Sequence, residues 1–357
     1  MILRRLEDAF WSLFYARWPD TGVPIPGYTL LLTVPPDLPV FLRLAVDVCR
    51  RQDPTHRVET LVVPDTFDRA FAREVVAAAA AWPAGRVRLV QPGPFDRLVR
   101  RFLRKASLIH WLQLVVAARE TRSTHAVLHD VDLFMLEPGF LRSLFETCRD
   151  GGYFCLGNEK PWQGAAFAKL PRFAHVVALW ELMFDMRWLR AGPPAAMRPQ
   201  NARLAEGVFW FETSLLAQAR TTPGRVARHR AARLVHFGWV IGGYRKFQRS
   251  RGRFKDNHFR LLLIRLLIAA FDPEGGPYLV PSLAELQRGL NDRGARVRYD
   301  DRARRNYPAF RQDLERLLRS DLFAAGSCEV IRSGLAAFDV AYAWQPAAFE
   351  DRYRTSA

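Results

Sequence analysis

The sequence contains no run of the roughly 18 uninterrupted apolar residues that a membrane-spanning helix needs. The nearest candidate, Phe259 to Phe271, is short and carries Arg260 and Arg265, so it reads as a buried or amphipathic helix. The amino terminus has arginines but no apolar core followed by a small-residue cleavage site, and no secretory signal is read there. Cysteine is scarce. Cys49, Cys148, Cys155 and Cys328 are scattered, with no C-x-x-C pair, which speaks against a zinc cluster or a disulfide framework. The expected location is therefore the cytoplasm, including the inner face of its membrane. Zinc-finger spacing, basic heptads and RNP-like aromatic strands are absent, so no nucleic-acid partner is expected. Internal repeats and low-complexity tracts are absent as well.

Acidic residues are outnumbered, 36 against 53 basic, for a net charge of +17. That balance favours an anionic partner: a membrane surface, a phosphorylated substrate or nucleic acid. An arginine-rich, alanine-rich proteome gives the same balance with no specific partner. What is present fits a folded protein, with 49% hydrophobic and 25% charged residues in a chain of 357. This length suits one large domain or one domain with additions.

Leu3, Leu6, Phe10, Leu13 and Phe14 stand near helical spacing, so residues 1–20 read as an amphipathic helix. Trp11 and Trp18 suit a lipid interface, and packing on the domain is the alternative. From Pro24 the pattern becomes strand–helix alternation. Apolar runs at 28–34, 58–63, 87–90 and 125–129 read as buried strands. Helical periodicity covers 39–51, 67–82 and about 95–120. Alternation of this kind predicts a parallel sheet whose ligands bind beyond the carboxyl ends of its strands. Val34, Pro35, Asp65 and Asp130 then become neighbours. Further strands are expected at 152–156, 208–211 and 234–238, a helix at 173–190, and a loop at 190–201 able to act as a lid. Charged helices follow from about Ser282.

Asp130-Val131-Asp132 directly follows a predicted buried strand. Two carboxylates two residues apart at a strand end can face one hard divalent cation, Mg²⁺ or Mn²⁺, shared with phosphate. The alternative is a pair of turn or helix-capping aspartates.

The run from Lys105 to Phe134, a helix and then an apolar strand ending in D-x-D, resembles the central segment of GT-A-fold glycosyltransferases. The resemblance covers about residues 26–248. It implies an α/β, Rossmann-like GT-A fold, with a mostly parallel central sheet flanked by helices and a helical C-terminal extension. Residues 1–23 would form the amphipathic helix, 24–250 the GT-A domain and 251–357 the extension. It also implies Mn²⁺ or Mg²⁺, a nucleoside-diphosphate sugar donor and an acceptor hydroxyl; the basic surface and amino-terminal helix fit a cell-envelope saccharide or lipid-linked acceptor and peripheral membrane contact.

On that resemblance Thr33, Val34 and Pro35 line the nucleotide pocket, with Lys105 also on the donor side. Asp65 meets the base or ribose, or instead caps the following helix. Asp130 lies towards ribose and metal, and Asp132 is the more direct ligand. His236 is a further metal ligand or a core histidine. Gly238, Gly242 and Gly243 precede Arg245 and Lys246, which meet the diphosphate; the spacing departs from the glycogenin-like pattern and leaves the role of Lys246 open. Glu206 is the general base of an inverting reaction, an acceptor-fixing group or a turn residue. Trp162 and Trp210 stack on sugar faces or belong to the core. Two other functions fit the same features. A nucleotidyltransferase would carry a glycine-rich basic loop after the first strand, where this chain has Pro35-Pro-Asp-Leu-Pro39. A non-catalytic binding protein on a GT-A scaffold is the other.

Overall fold

The apolar runs assemble into one sheet in the first of two units, Met1–Arg233 and Leu234–Ala357. This computed structural model describes residues 2–66, 68–80, 86–103, 105–158, 166–229, 234–250, 253–274, 278–292 and 294–342. In chain order the first unit runs α1 (Ile2–Phe14), β1 (Ile25–Val34), α2 (Pro39–Arg50), β2 (Arg57–Pro64), α3 (Arg69–Ala80) and β3 (Arg86–Leu89). It continues with α4 (Pro94–Phe102), α5 (Ala106–Glu120), β4 (Ser123–Asp130), β5 (Leu133–Met135), α6 (Phe140–Asp150) and β6 (Cys155–Gly157). It closes with β7 (Glu181–Asp185), α7 (Met186–Arg190), β8 (Gln200–Leu204), β9 (Gly207–Phe211), α8 (Leu215–Ala219) and β10 (Val226–Arg228).

The main sheet has seven strands in the order β10-β6-β7-β4-β1-β2-β3. Strands β4, β1, β2 and β3 run parallel, β7 runs antiparallel to both β4 and β6, and β10 is parallel to β6. The expected α/β architecture with a mostly parallel, helix-flanked sheet is the one observed. Leu30, Leu31, Leu32, Leu61, Val62, Val63 and Val127 are inaccessible to solvent, as strands covered on both faces require.

One place in this order positions everything that follows. From β1 the chain winds outward through β2 and β3, then returns to place β4 on the opposite side of β1. The crevice beyond the carboxyl ends of β1 and β4 is therefore a topological switch point, where open α/β sheets bind ligands. Thr33 of β1 is paired in register with Asp130 of β4.

Four expectations need correction. The segment 173–190 is not one helix: β7 occupies Glu181–Asp185, and α7 is a single short turn of helix after it. Its continuous apolar run carries no period, and pairing with β4 and β6 on both sides decides for strand. The predicted helix over 95–120 is two helices, because Leu103 and Lys105 have extended backbone. The segment 190–201 is not a free lid. Its Gly192 and Pro194 carbonyls accept from Trp18 and Trp111, and Ala195 N–H donates to the Tyr15 carbonyl. Trp11 and Trp18 do not form a lipid-facing pair. Trp11 is buried edge-on against Trp111, and Trp18 holds the 190–201 segment.

The second unit contains β11 (Leu234–His236), α9 (Val240–Arg249), β12 (Phe254–Lys255), α10 (Arg260–Phe271), α11 (Leu283–Arg288), β13 (Val297–Arg298), α12 (Asp301–Leu318) and α13 (Ala325–Tyr342). Helix α10 is apolar nearly all round and buried from Leu261 to Leu267 except at Arg265. Aromatic rings pack at its start: Phe259 stacks on Tyr299 at 5.0 Å and meets Tyr307 at 4.6 Å.

Candidate metal and nucleotide site

Asp130 ends β4 and Asp132 begins the turn into β5. A carboxylate oxygen of each lies within 4.8 Å of the other. Asp132 is buried and Asp130 is partly accessible. Two oxygen donors that converge at a strand end, one of them open to solvent, fit a hard divalent cation shared with a ligand.

Histidines flank this pair. His110, on α5, places Nε2 3.4 Å from Asp130 Oδ1, but that nitrogen makes no hydrogen bond. Burial pushes its imidazole down to about 4, against the pull of Glu212 and Asp132. At neutral pH it is uncharged. Glu212, just past β9, is accessible to solvent yet flanked by enough protein that burial raises its pKa, partly offset by His110. Beneath the pair lies His129, fully buried, with Nδ1 2.6 Å from Glu181 Oε2 on the facing strand β7. Burial opposes charge on His129, but the Glu181 carboxylate, its hydrogen bond and the two aspartates raise the pKa overall.

The neighbouring strand ends supply the rest. Thr33 and Val34 end β1, Pro35 follows them, and all three are buried. Asp65 N–H donates to the Val34 carbonyl at 3.3 Å, which brings Asp65 alongside β1. Arg100 of α4 holds Asp65 from two sides, donating to its carbonyl at 2.7 Å and placing Nη2 3.7 Å from Oδ2. Asp65 is not the cap of α3: Asp68 accepts from Phe71 N–H at 2.8 Å and takes that part. The Val63 carbonyl is used by Gln113 at 2.7 Å, which ties α5 to β2.

Lys105 and Trp210 meet, the ammonium 5.0 Å from the ring centroid. They belong to the same junction of α5 with β9 that brings His110 and Glu212 together. Glu206 stands elsewhere on the β8–β9 hairpin, exposed at its tip and paired with Arg172. Trp162 lies outside the described residues. His236 ends β11 in the second unit and is half-buried. Arg245 and Lys246 lie on α9, not in a loop. Arg245 donates to Gln248 at 3.1 Å, and Lys246 lies 6.0 Å from the Trp239 ring. A side chain at Gly242 would collide with the Trp239 indole, and one at Gly243 with Arg260. These glycines therefore make room for packing within the unit.

His110, Glu212, His129 and Glu181 were missed by sequence reasoning. Only the two strand ends carry a local signal; these four meet one another across 52 residues (His129 and Glu181) and about 100 residues (His110 and Glu212).

No established family description and no curated protein matches the sequence. Among solved structures, the chain is similar to a mannosyltransferase from Pyrobaculum calidifontis in complex with GDP-Man and Mn²⁺. The identity is 16%, over 99% of this chain and 87% of that one, with a TM-score of 0.43. It is also similar to glucosyl-3-phosphoglycerate synthase from Mycobacterium tuberculosis, at 15% identity over 62% of this chain and 78% of that one, TM-score 0.39. A third likeness is to the galactosyltransferase LgtC, at 12% identity over 48% and 62% of the two chains, TM-score 0.36.

Proposed function

We propose that this protein is a GT-A-type glycosyltransferase, moving a sugar from a nucleoside-diphosphate donor to an acceptor hydroxyl with a divalent cation, Mn²⁺ or Mg²⁺. The observation that carries this reading is the place of Asp130 and Asp132: two converging carboxylates at the β1/β4 switch point, beside Thr33 and Asp65. Nucleotides bind at that place in open α/β sheets, and paired oxygens at that place suit the cation that travels with a diphosphate.

In this reading Asp132 and Asp130 hold the cation, and His236 is a third ligand offered by the sequence. A bound divalent cation supplies neutralisation of the charge that grows on the departing diphosphate. Thr33, Val34 and Pro35 form the wall of the nucleotide pocket, and Asp65, oriented by Arg100, receives base or ribose hydroxyls. Lys105 adds positive charge on the donor side, and Trp210 offers a ring face to a sugar. Arg245 and Lys246 are proposed diphosphate contacts. The acceptor is a saccharide or a lipid-linked saccharide.

For the acceptor's proton, Glu212 is a better placed carboxylate than Glu206. Glu206 is bound by Arg172 at an exposed hairpin tip. Glu212 adjoins His110, which adjoins Asp130, and its raised pKa suits a group that takes up a proton. If transfer inverts the anomeric centre, Glu212→Gln loses most transfer while Glu206→Gln keeps it.

The deciding experiment is transfer by wild type and Asp132→Ala with Mn²⁺ and a panel of nucleotide sugars. Asp132→Ala is expected to be inactive with every donor that wild type uses. Full transfer by that variant would remove the metal assignment. A His236→Ala variant with unaltered Mn²⁺ dependence would remove His236 alone.

A further inference from the structure

Helix α4 is built inside out. It turns its single acidic residue, Asp96, into the protein, where Tyr15 donates to it at 2.8 Å and Arg119 pairs with it at 2.8 Å. It turns Phe95, Leu98 and Phe102 outward, and Phe102 is 76% exposed. Those three positions, at i, i+3 and i+7, form one stripe along the helix.

Helix α1 continues the surface. Its inner side chain Trp11, with Tyr15 just beyond the helix, packs on Trp111. Its outer side chains Phe10, Leu13 and Phe14 are exposed, Leu13 at 72%. Phe14 and Phe95 stack with centroids 5.0 Å apart, and Phe10 lies 4.8 Å from Phe14. Six large apolar side chains from two helices thus form one continuous face. Isolated exposed apolar residues need no explanation, but a contiguous aromatic cluster does.

The charge beside this face has one sign on α4. Arg97 and Arg101 are exposed on the same helix. The nearby acids on α1 are engaged, Glu7 by the Trp11 indole N–H and Asp8 by Arg198. Aromatic and aliphatic side chains flanked by arginine are the composition that enters the headgroup–acyl boundary of an anionic bilayer. A protein partner would need carboxylates to meet the same arginines.

We propose that the outer faces of α1 and α4 form a docking surface for an anionic phospholipid membrane, with Phe14, Phe95, Leu98 and Phe102 inserted and Arg97 and Arg101 at the headgroups. The contact proposed is peripheral, and no described helix is long and apolar enough to cross a membrane. This inference stands apart from the transferase reading, since it uses none of the site residues.

The test is co-sedimentation of the full chain with mixed phosphatidylglycerol–phosphatidylcholine vesicles, against phosphatidylcholine alone and against no lipid. Wild type should pellet with the anionic vesicles at least about tenfold more than with neutral ones, and salt should weaken this. The double variant Leu98→Ser, Phe102→Ser should lose about tenfold in binding. Arg97→Gln with Arg101→Gln should lower the preference for anionic vesicles by several-fold. Leu98 and Phe102 are exposed, so the serine variants should melt near wild type, and a single Phe102→Ser variant serves if the double one is unstable. Wild type pelleting equally with and without lipid would overturn the proposal. So would serine variants that bind as tightly as wild type, or a wild-type dimer that the serine variants dissociate while vesicle binding is absent.

Discussion

The two units bury polar groups in opposite ways. The first carries ionisable side chains in the middle of its sheet, above all His129 and Glu181, both with no side-chain exposure. The second keeps its interior for rings and aliphatic chains. Among its described residues the most deeply buried carboxylate, Asp256, is spent on the start of α10, where it accepts from Arg260 N–H at 3.0 Å and Leu261 N–H at 2.8 Å. A buried ion pair adds little net stability over an apolar pair of the same shape. We read its place beside Asp130 and Asp132 as part of the proposed site, whereas the second unit's cap is explained by the helix alone.

Removing Glu181 should break this comparison most severely. Glu181→Ala strands His129 in the core, and a loss of about 3–5 kcal/mol is expected in urea unfolding. A loss below about 1 kcal/mol would mean the pair is not a buried charge pair. Asp132→Ala should do the reverse, costing about 100-fold or more in transfer while leaving the urea midpoint near that of wild type. In the second unit Tyr307→Phe removes a hydroxyl that donates to Asp339. That should cost about 2 kcal/mol with no change in metal dependence.

A further effect, of similar size, is one of pH. Burial pushes Asp256 up to about 6 from its ordinary 3.8, against the N–H groups of Leu261 and Arg260. The folded state then binds this proton more tightly than the unfolded chain. Its contribution is full below about pH 4 and is lost as pH rises through about 6. Relative to Asp256→Asn, wild type should lose on the order of 2 kcal/mol of stability between pH 4 and pH 7. Parallel stability curves for the two proteins would show that Asp256 does not titrate in this window.

The parallel half of the sheet was legible because each strand is a short apolar run closed by proline, glycine or aspartate. Val34-Pro35, Pro64-Asp65 and Asp130 mark the strand ends, and the rule for ligands beyond them brought Val34, Pro35, Asp65 and Asp130 to one edge. Strand β7 was not legible, because 176–184 is apolar at nearly every position and supports a helix equally well. Glu181 interrupts that run, and its reason, His129, lies 52 residues away. His110 and Glu212 were hidden for the same cause: each is a lone residue until α5 and β9 meet. The break between α4 and α5 escaped because periodicity continues on both sides of Leu103. A helix at the amino terminus was legible, though it ends at Phe14 and not near residue 20, and which face it buries depends on Trp111, which the local pattern does not reveal.

The central claim is that Asp130 and Asp132 hold a cation which in turn holds a nucleotide sugar. Thermal stabilisation by nucleotide sugars, measured with and without Mn²⁺ on wild type and Asp132→Ala, tests it directly. The account predicts that one donor stabilises wild type only when Mn²⁺ is present, and leaves Asp132→Ala unmoved. Equal stabilisation of both proteins, or stabilisation of wild type that ignores Mn²⁺, would contradict it.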